Sequence, residues 1–321
     1  MKPKRWALSW IASLAAASAA PTPDGVPAWR IETRAEVAAE TGTTTYRIGG
    51  TVVENGEREE LPFPISRLKW PMPRWSGRVA VEARHRSRWE LFGALAAAPS
   101  QDAGTLEDSD WEAPEMPDVV TTYSESDTEA QGLEVEAGAR RSVYEWSGVR
   151  DEIELSAGFG LSYRRHQWTA RDAIQWSPPF PELGADGIWG DVATYETEVW
   201  MPYLEIAGTW RRKLWEIRAR LTLSPYVRAE DRDDHLVRGI ESRATTEGVG
   251  GKAELRIRRA LAGAWFAYAS LYGSAFATEG TSRNVVYGDD DPEIPVGARW
   301  TIEQKIESEQ FGAALGVGAR F

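Results

Sequence analysis

Two short acidic stretches hold the side chains best suited to acid–base chemistry. The first, Leu106-Glu107-Asp108-Ser109-Asp110-Trp111, places two carboxylates two residues apart. In an extended segment Asp108 and Asp110 point the same way. Carboxylates held together cannot both ionise easily, so one pKa rises, and the pair can share a proton and help to position a water. The second, Asp231-Arg232-Asp233-Asp234-His235, repeats the spacing with Asp233 and His235. A carboxylate beside an imidazole fixes its tautomer and raises its basicity, as a general base requires. Of the three histidines, His235 is the one with an aspartate at the same-face position. The plainer reading of both stretches is solvated acidic loop, in a chain with 49 acidic residues. With no cysteine in the chain, thiolate catalysis, thiolate metal sites and redox pairs are excluded.

The elements that must carry these groups announce themselves by alternation. From Leu214 to Ser224, the odd positions Trp215, Ile217, Ala219, Leu221 and Leu223 are apolar, and the even positions Glu216, Arg218, Arg220, Thr222 and Ser224 are polar. Side chains of a strand alternate between faces, so this is a two-faced strand. Lipid outside and a wet, charge-paired interior suit it. Ala253, Leu255 and Ile257 alternate with Lys252, Glu254, Arg256 and Arg258 in the same way, and Ile153 to Leu161 form another odd-numbered apolar row. The last strand carries Phe311, Ala313, Leu315, Val317, Ala319 and the terminal Phe321 on one face.

Ten such strands are expected, at about residues 28–40, 58–84, 88–98, 129–147, 151–170, 193–210, 214–231, 243–258, 262–280 and 300–321. Four separators are short turns. The other five, residues 41–57, 99–128, 171–192, 232–242 and 281–299, are longer and rich in Asp, Glu, Gly and Pro. Short turns of an outer-membrane barrel face the periplasm and long loops the exterior. The expectation is a single all-β domain over residues 20–321: a ten-stranded antiparallel transmembrane β-barrel, with both ends periplasmic and Asp108, Asp110 and His235 in loops on the outer side. A closed barrel has no sheet edge that demands a partner, so the chain reads as a monomer.

The first residues fit that address. Lys2, Lys4 and Arg5 precede an apolar run from Ala7 to Ala16, and Ala17-Ser18-Ala19 offers a small-x-small cleavage pattern, so residues 1–19 read as a signal peptide. No apolar run reaches the length of a membrane-spanning helix. The formal charge is -12, or -15 without the three cationic residues of the leader. That disfavours nucleic acid as a partner and favours cationic partners. Sixteen tryptophans suit the aromatic girdles of a membrane barrel.

These stretches together resemble the omptins, outer-membrane proteases with ten strands. Asp108-Ser109-Asp110-Trp111 is similar to the omptin Asp-x-Asp-Trp, and Asp233-Asp234-His235 to their Asp-x-His dyad after strand seven. Met201-Pro202-Tyr203 and Trp168-Thr169-Ala170-Arg171 resemble two further omptin elements, and the order fits from about residue 30 to Phe321. The resemblance implies an endopeptidase without cofactor or metal. Asp108 and Asp110 would form one couple and Asp233 and His235 the other, with a water between them. It also implies cleavage near basic residues of a cationic peptide or protein, with Asp231 as one acid of the primary specificity pocket. The second acid of that pocket has no counterpart in Thr43-Thr44-Thr45-Tyr46, leaving Glu40 and Glu54 as neighbours that could reach in. Omptins hold lipopolysaccharide phosphates with basic residues on the outer face. Arg165 matches one such position, but Glu198 and Glu247 carry the wrong sign, so a lipopolysaccharide requirement does not carry over with the rest.

Two other readings of the same barrel stand beside this one. A non-enzymatic barrel would be a channel, an anchor or an adhesin, and a lumen filled by residues such as Arg218, Arg220, Glu254 and Arg256 speaks against the channel. Lipid hydrolysis would need a nucleophilic Ser beside a His, and no Ser lies in such a motif. Asp289-Asp290-Asp291-Pro292-Glu293 lacks the ligand spacing of an EF-hand and reads as a solvated loop. The Arg pairs Arg140-Arg141, Arg164-Arg165 and Arg258-Arg259 lie within strands.

Overall fold

A computed structural model describes residues 28–321 except 112, 114 and 289–294. The leader segment and the Asp289–Glu293 cluster lie outside the described residues. Among the described residues twelve strands follow one another: β1 (Trp29–Glu54), β2 (Glu57–Glu60), β3 (Ser66–Pro71), β4 (Trp75–His85), β5 (Trp89–Asp110), β6 (Thr122–Ser147), β7 (Asp151–Trp176), β8 (Ala185–Arg212), β9 (Trp215–His235), β10 (Ile240–Ala260), β11 (Trp265–Val286) and β12 (Arg299–Arg320). Each long strand pairs antiparallel with its neighbours, and β12 pairs with β1 from Glu32↔Arg320 to Glu54↔Trp300, which closes the ring.

The twelve strands occupy ten positions around that ring. β3 and β4 both lie between β1 and β5, so they are one stave broken at residues 72–74. β2 pairs only with the upper end of β1. The continuous strand expected over 58–84 is therefore interrupted. Pro62, Pro64, Pro71 and Pro73 explain why, since proline has no N–H to give to a ladder.

The second difference from the sequence reading is length. Strands run far beyond the alternating segments; β8 has 28 residues and β9 has 21. About ten residues suffice to cross a bilayer in a tilted strand. Much of the region read as loops 99–128, 171–192 and 281–299 continues as ladder above the membrane. Out there both sides of the outer wall meet water, and apolar–polar alternation no longer marks a strand.

The band that meets lipid is marked by exposed apolar side chains. Val37, Leu204, Leu271 and Leu315 point outward, with Trp75, Trp200 and Tyr226 at its upper edge and Trp89, Trp215 and Trp265 at its lower edge. Inside this band the lumen is filled by paired charges. Arg140 meets Glu82 at 3.0 Å and Glu205 at 3.1 Å, and also bonds Glu90. Arg220 meets Glu205 at 2.8 Å and Glu136 at 2.5 Å, and Arg78 meets Glu136 at 2.6 Å. A buried charge is tolerable when paired and hydrogen-bonded, and these pairs are both. Two of the cavities among them hold about 20 Å³ each, room for a water; a third, of about 490 Å³, lies toward the end that carries Trp146, Arg211 and Phe321.

Above the charges lies an aromatic layer. Trp70 stacks on Tyr195 with ring centroids 5.4 Å apart, Trp168 does so at 5.4 Å, and the two indoles lie 6.2 Å from each other, so the three rings form a triangle. The Trp168 indole N–H donates to the Pro71 carbonyl at 2.6 Å. Leu68, Leu106, Val199 and Ile306 complete this layer, all buried. It is a buried apolar floor between the charged lumen and the rim above it.

Candidate active site at the barrel rim

β9 positions the dyad by means of one extra residue. Along its lower half the even residues face the lumen, Arg218 and Arg220 among them, and the odd residues face lipid. Continued unbroken, that period would place Asp233 and His235 on the outer face. Between Ser224 and Val227 the ladder slips: Gly248 pairs with Val227 but Gly250 with Ser224, and on the other side Trp200 pairs with Arg228 but Leu204 with Leu223. β9 thus carries one residue more than either neighbour, a bulge at Pro225. One inserted residue exchanges the faces of everything beyond it. Val227, Ala229, Asp231 and Asp233 turn inward and are buried. Ser224 seals the bulge, its hydroxyl lying 2.6 Å from the carbonyls of both Pro202 and Tyr226.

β5 delivers the other couple by the same device used twice. Its register with β6 slips between Ala98 and Gln101 and again between Asp102 and Gly104. Two insertions restore the original parity, so Leu106, Asp108 and Asp110 face inward above Ala98. Asp108 pairs across the ladder with Leu68 of β3 and Asp110 with Ser66. Both aspartates are therefore on a strand rather than in a loop, and His235 is the last residue of β9.

The structure brings Asp108, Asp110 and His235 to one cleft of about 480 Å³, open at the barrel rim away from Trp29 and Phe321. Asp233 lies just beneath it, 2 % exposed, with its Oδ2 2.8 Å from His235 Nε2. The imidazole is partly exposed, at 23 %, and its Nδ1 is the ring nitrogen left for the cleft. Burial would favour the neutral ring, but the charge and hydrogen bond of Asp233, with the charge of Asp108, outweigh it and raise His235 to about 9. Burial and the neighbouring Asp110 carboxylate push Asp108 up to about 7, against the pull of His235 and Arg238. One proton is thus shared between His235 and Asp108 from about pH 7 to about pH 9.

Asp231 is not in the cleft wall. It is buried below, where its carboxylate accepts hydrogen bonds from Gln304 at 2.5 Å, Tyr195 at 3.1 Å and the Ala244 N–H at 3.0 Å. Burial raises it to about 7 despite the Gln304 and Tyr195 hydrogen bonds. Glu40 and Glu54 do not reach the cleft either. Glu40 sits in the lumen bonded to Ser76 and Tyr272, and Glu54 is exposed at the top of β1. The acids that do line the cleft from this side are Glu59 and Glu60 of β2. Arg165 on the outer wall is engaged by Glu196 at 2.7 Å and Glu198 at 3.8 Å.

Four participants escaped the sequence reading. Arg238 lines the cleft and lies 3.7 Å from Asp110 Oδ2. Tyr195 and Gln304 hold Asp231. Tyr46 donates its hydroxyl to Asp233 Oδ2 and lies 3.3 Å from His235 Nε2. No local motif marks Tyr46, Tyr195 or Gln304, because each reaches the site from another strand, while Arg238 lies in the turn between β9 and β10. Tyr46 is separated from Asp233 by 187 positions in the chain.

A closed antiparallel ring with an apolar outer band, aromatic edges and a charge-filled lumen defines a bacterial outer-membrane β-barrel. The omptin family model matches residues 52–254, more than half of the chain, and the chain belongs to the omptin family. Its fold is similar to that of the outer membrane protease OmpT from Escherichia coli, at 16% sequence identity and a TM-score of 0.74, over 91% of this chain and 97% of that one. The outer membrane protein OprG from Pseudomonas aeruginosa matches at 8% identity over 92% and 96% of the two chains, with a TM-score of 0.37. The translocator domain of the autotransporter NalP from Neisseria meningitidis matches at 10% identity over 98% and 96%, also with a TM-score of 0.37. The comparison with curated proteins gave no match.

Proposed function

We propose that the protein is an outer-membrane endopeptidase whose cleft faces the exterior and whose nucleophile is water. The observation that carries this reading is the convergence of Asp108, Asp110 and His235 on one cleft with Asp233 behind the imidazole. The water lies between His235 Nδ1 and the Asp108–Asp110 couple. It attacks the scissile carbonyl as its proton passes to His235, and that proton later goes to the leaving amine. Asp233 orients the ring and stabilises the imidazolium. The attacking form needs the shared proton on Asp108 rather than on His235. A gap of about two pKa units makes that form about 1% of the singly protonated state, a modest cost for a strong base. No acyl-enzyme forms, because no side-chain nucleophile takes part.

Cleavage near basic residues of cationic peptides or proteins belongs to the same proposal. Among the described residues lining the cleft, Glu59, Glu60, Asp108 and Asp110 face a single Arg238 and His235. Asp231 adds its charge from below when a cation enters and favours its ionised form. The enzyme acts as a monomer without metal or cofactor. Lipopolysaccharide is not required, since Arg165 is already paired with Glu196.

The test is hydrolysis of a quenched peptide containing Arg-Arg by refolded protein in detergent, with and without lipopolysaccharide. Wild type should cleave in both conditions, and His235→Ala and Asp233→Asn should lose about 10²-fold or more while remaining folded. Asp231→Asn should raise KM for the Arg-Arg peptide. Undiminished turnover in the first two variants would overturn the mechanism.

A further inference from the structure

Asp233 makes its side-chain contacts through one oxygen. Oδ2 takes the His235 Nε2 at 2.8 Å and the hydroxyl of Tyr46, while Oδ1 is buried without a hydrogen-bond partner among the described residues. A carboxylate held by two donors on one oxygen cannot rotate without breaking both. Tyr46 is well placed to be the fixed member of that trio. It projects from β1 in the inward row with Thr44, its ring is 3 % exposed, and it packs against Tyr195 with centroids 5.2 Å apart. Tyr195 in turn packs against both Trp70 and Trp168, which also contact each other. The aromatic floor thereby fixes the ring, the ring fixes the hydroxyl, and the hydroxyl fixes the carboxylate that aims His235.

We infer that Tyr46 is a positioning residue of the dyad: its hydroxyl anchors Asp233 Oδ2 and limits how much of that carboxylate's charge reaches His235. This rests on the proposed peptidase reading. A hydrogen bond from a phenol stabilises the carboxylate and withdraws charge from it. Burial and the charge of Asp233 hold the Tyr46 phenol well above the ordinary tyrosine range, so it stays a donor throughout the working pH range. With the hydroxyl gone, Asp233 would present more charge to the imidazole and less certain geometry. Two effects should then appear together: a more basic His235 and a slower chemical step.

Tyr46→Phe keeps the ring in its aromatic slot and removes only the oxygen. In refolded wild type and variant, the imidazole titrations are followed by NMR with isotope-labelled histidine, His235 being assigned by its loss in His235→Ala. The chain has two other histidines, His85 and His166, as internal references. In Tyr46→Phe the His235 titration should move upward by about half a unit to one unit, the size of one hydrogen bond. On the Arg-Arg peptide kcat should fall about 10- to 100-fold with KM changed less than about two-fold, as loss of positioning without loss of binding demands. Thr44→Val removes a buried hydroxyl from the same strand, one bonded to Ser308 at 3.0 Å, and controls for loosening of β1. It should leave both readouts at wild-type values. An unmoved His235 titration in Tyr46→Phe would overturn the inference, as would wild-type kcat or equal effects in Thr44→Val. Should wild type cleave no peptide, the peptidase reading fails, and the titration still decides whether Tyr46 sets the dyad.

Discussion

The pH dependence of peptide hydrolysis follows from the two shifted groups. Asp108 is raised to about 7 by burial and by Asp110, so its proton is retained below that pH. His235 is raised to about 9, where the charge and hydrogen bond of Asp233 overcome burial, so its proton is lost above that pH. The state with one proton on the pair is the one that can attack, whichever group carries it at rest. Its population rises as pH increases through about 7 and falls as pH increases through about 9. With those limbs it is about 83% of the total at pH 8 and about 9% at pH 6 or pH 10. The value of kcat/KM, which reports the free enzyme, should therefore peak near pH 8 and drop about nine-fold two units to either side. The assay is initial rate against pH from 5 to 11 at low substrate, with circular dichroism confirming the folded barrel throughout. Asp108→Asn leaves His235 as the one titrating member of the pair, so the acid limb should move up toward the His235 value, the decline above pH 9 should disappear, and the maximum should fall by about 10²-fold or more. A single acid limb near the ordinary carboxylate value of about 4 and no decline between pH 8 and 10 would refute the reasoning. So would a decline above pH 9 that survives in Asp108→Asn.

Two further outcomes test the scaffold. Deleting Pro225 removes the extra residue of β9, and the strand beyond it should turn Asp233 and His235 to the outer face; activity should fall as far as in His235→Ala while the refolded barrel keeps its heat-modifiable mobility on gels, and retained activity would show that the bulge does not set the parity. Trp70→Ala empties a fully buried slot in the aromatic floor and should destabilise the outer half by about 3–5 kcal/mol, measured as earlier denaturant unfolding or proteolysis above the membrane band, whereas wild-type resistance would contradict the floor's role.

The membrane part of this fold is legible in the sequence because two solvents meet there. Leu221 against Thr222, or Leu255 against Glu254, differ sharply in what they can face, and alternation follows. Above the bilayer the outer face is wet, the contrast disappears, and Thr122 to Asp127 or Ala185 to Asp191 read as loop although the ladder continues through them. The spacing of the site pairs was equally legible, since residues two apart share a face on any strand, in or out of a membrane. Which face they share was not. The odd row of β9 that carries Leu221 and Leu223 to lipid would carry Asp233 and His235 there too, and only the bulge at Pro225 sends them inward. The acids of the cleft were misplaced for a related reason. Glu59 and Glu60 enter it because prolines end β2 and bend the chain back over the rim, a three-dimensional outcome that no spacing rule encodes. Tyr46, Tyr195 and Gln304 approach from staves that are distant in the chain, and nothing local distinguishes them from other inward residues.

The central claim is that the groups gathered at this rim hydrolyse peptide bonds, and an unbiased digest tests it most directly. Refolded wild type and His235→Ala are each incubated at pH 8 with a peptide library of varied sequence, and new termini are identified by mass spectrometry. New termini are expected next to Arg or Lys with wild type and none with the variant. No new termini from a folded wild-type barrel, or the same termini from both proteins, would contradict it.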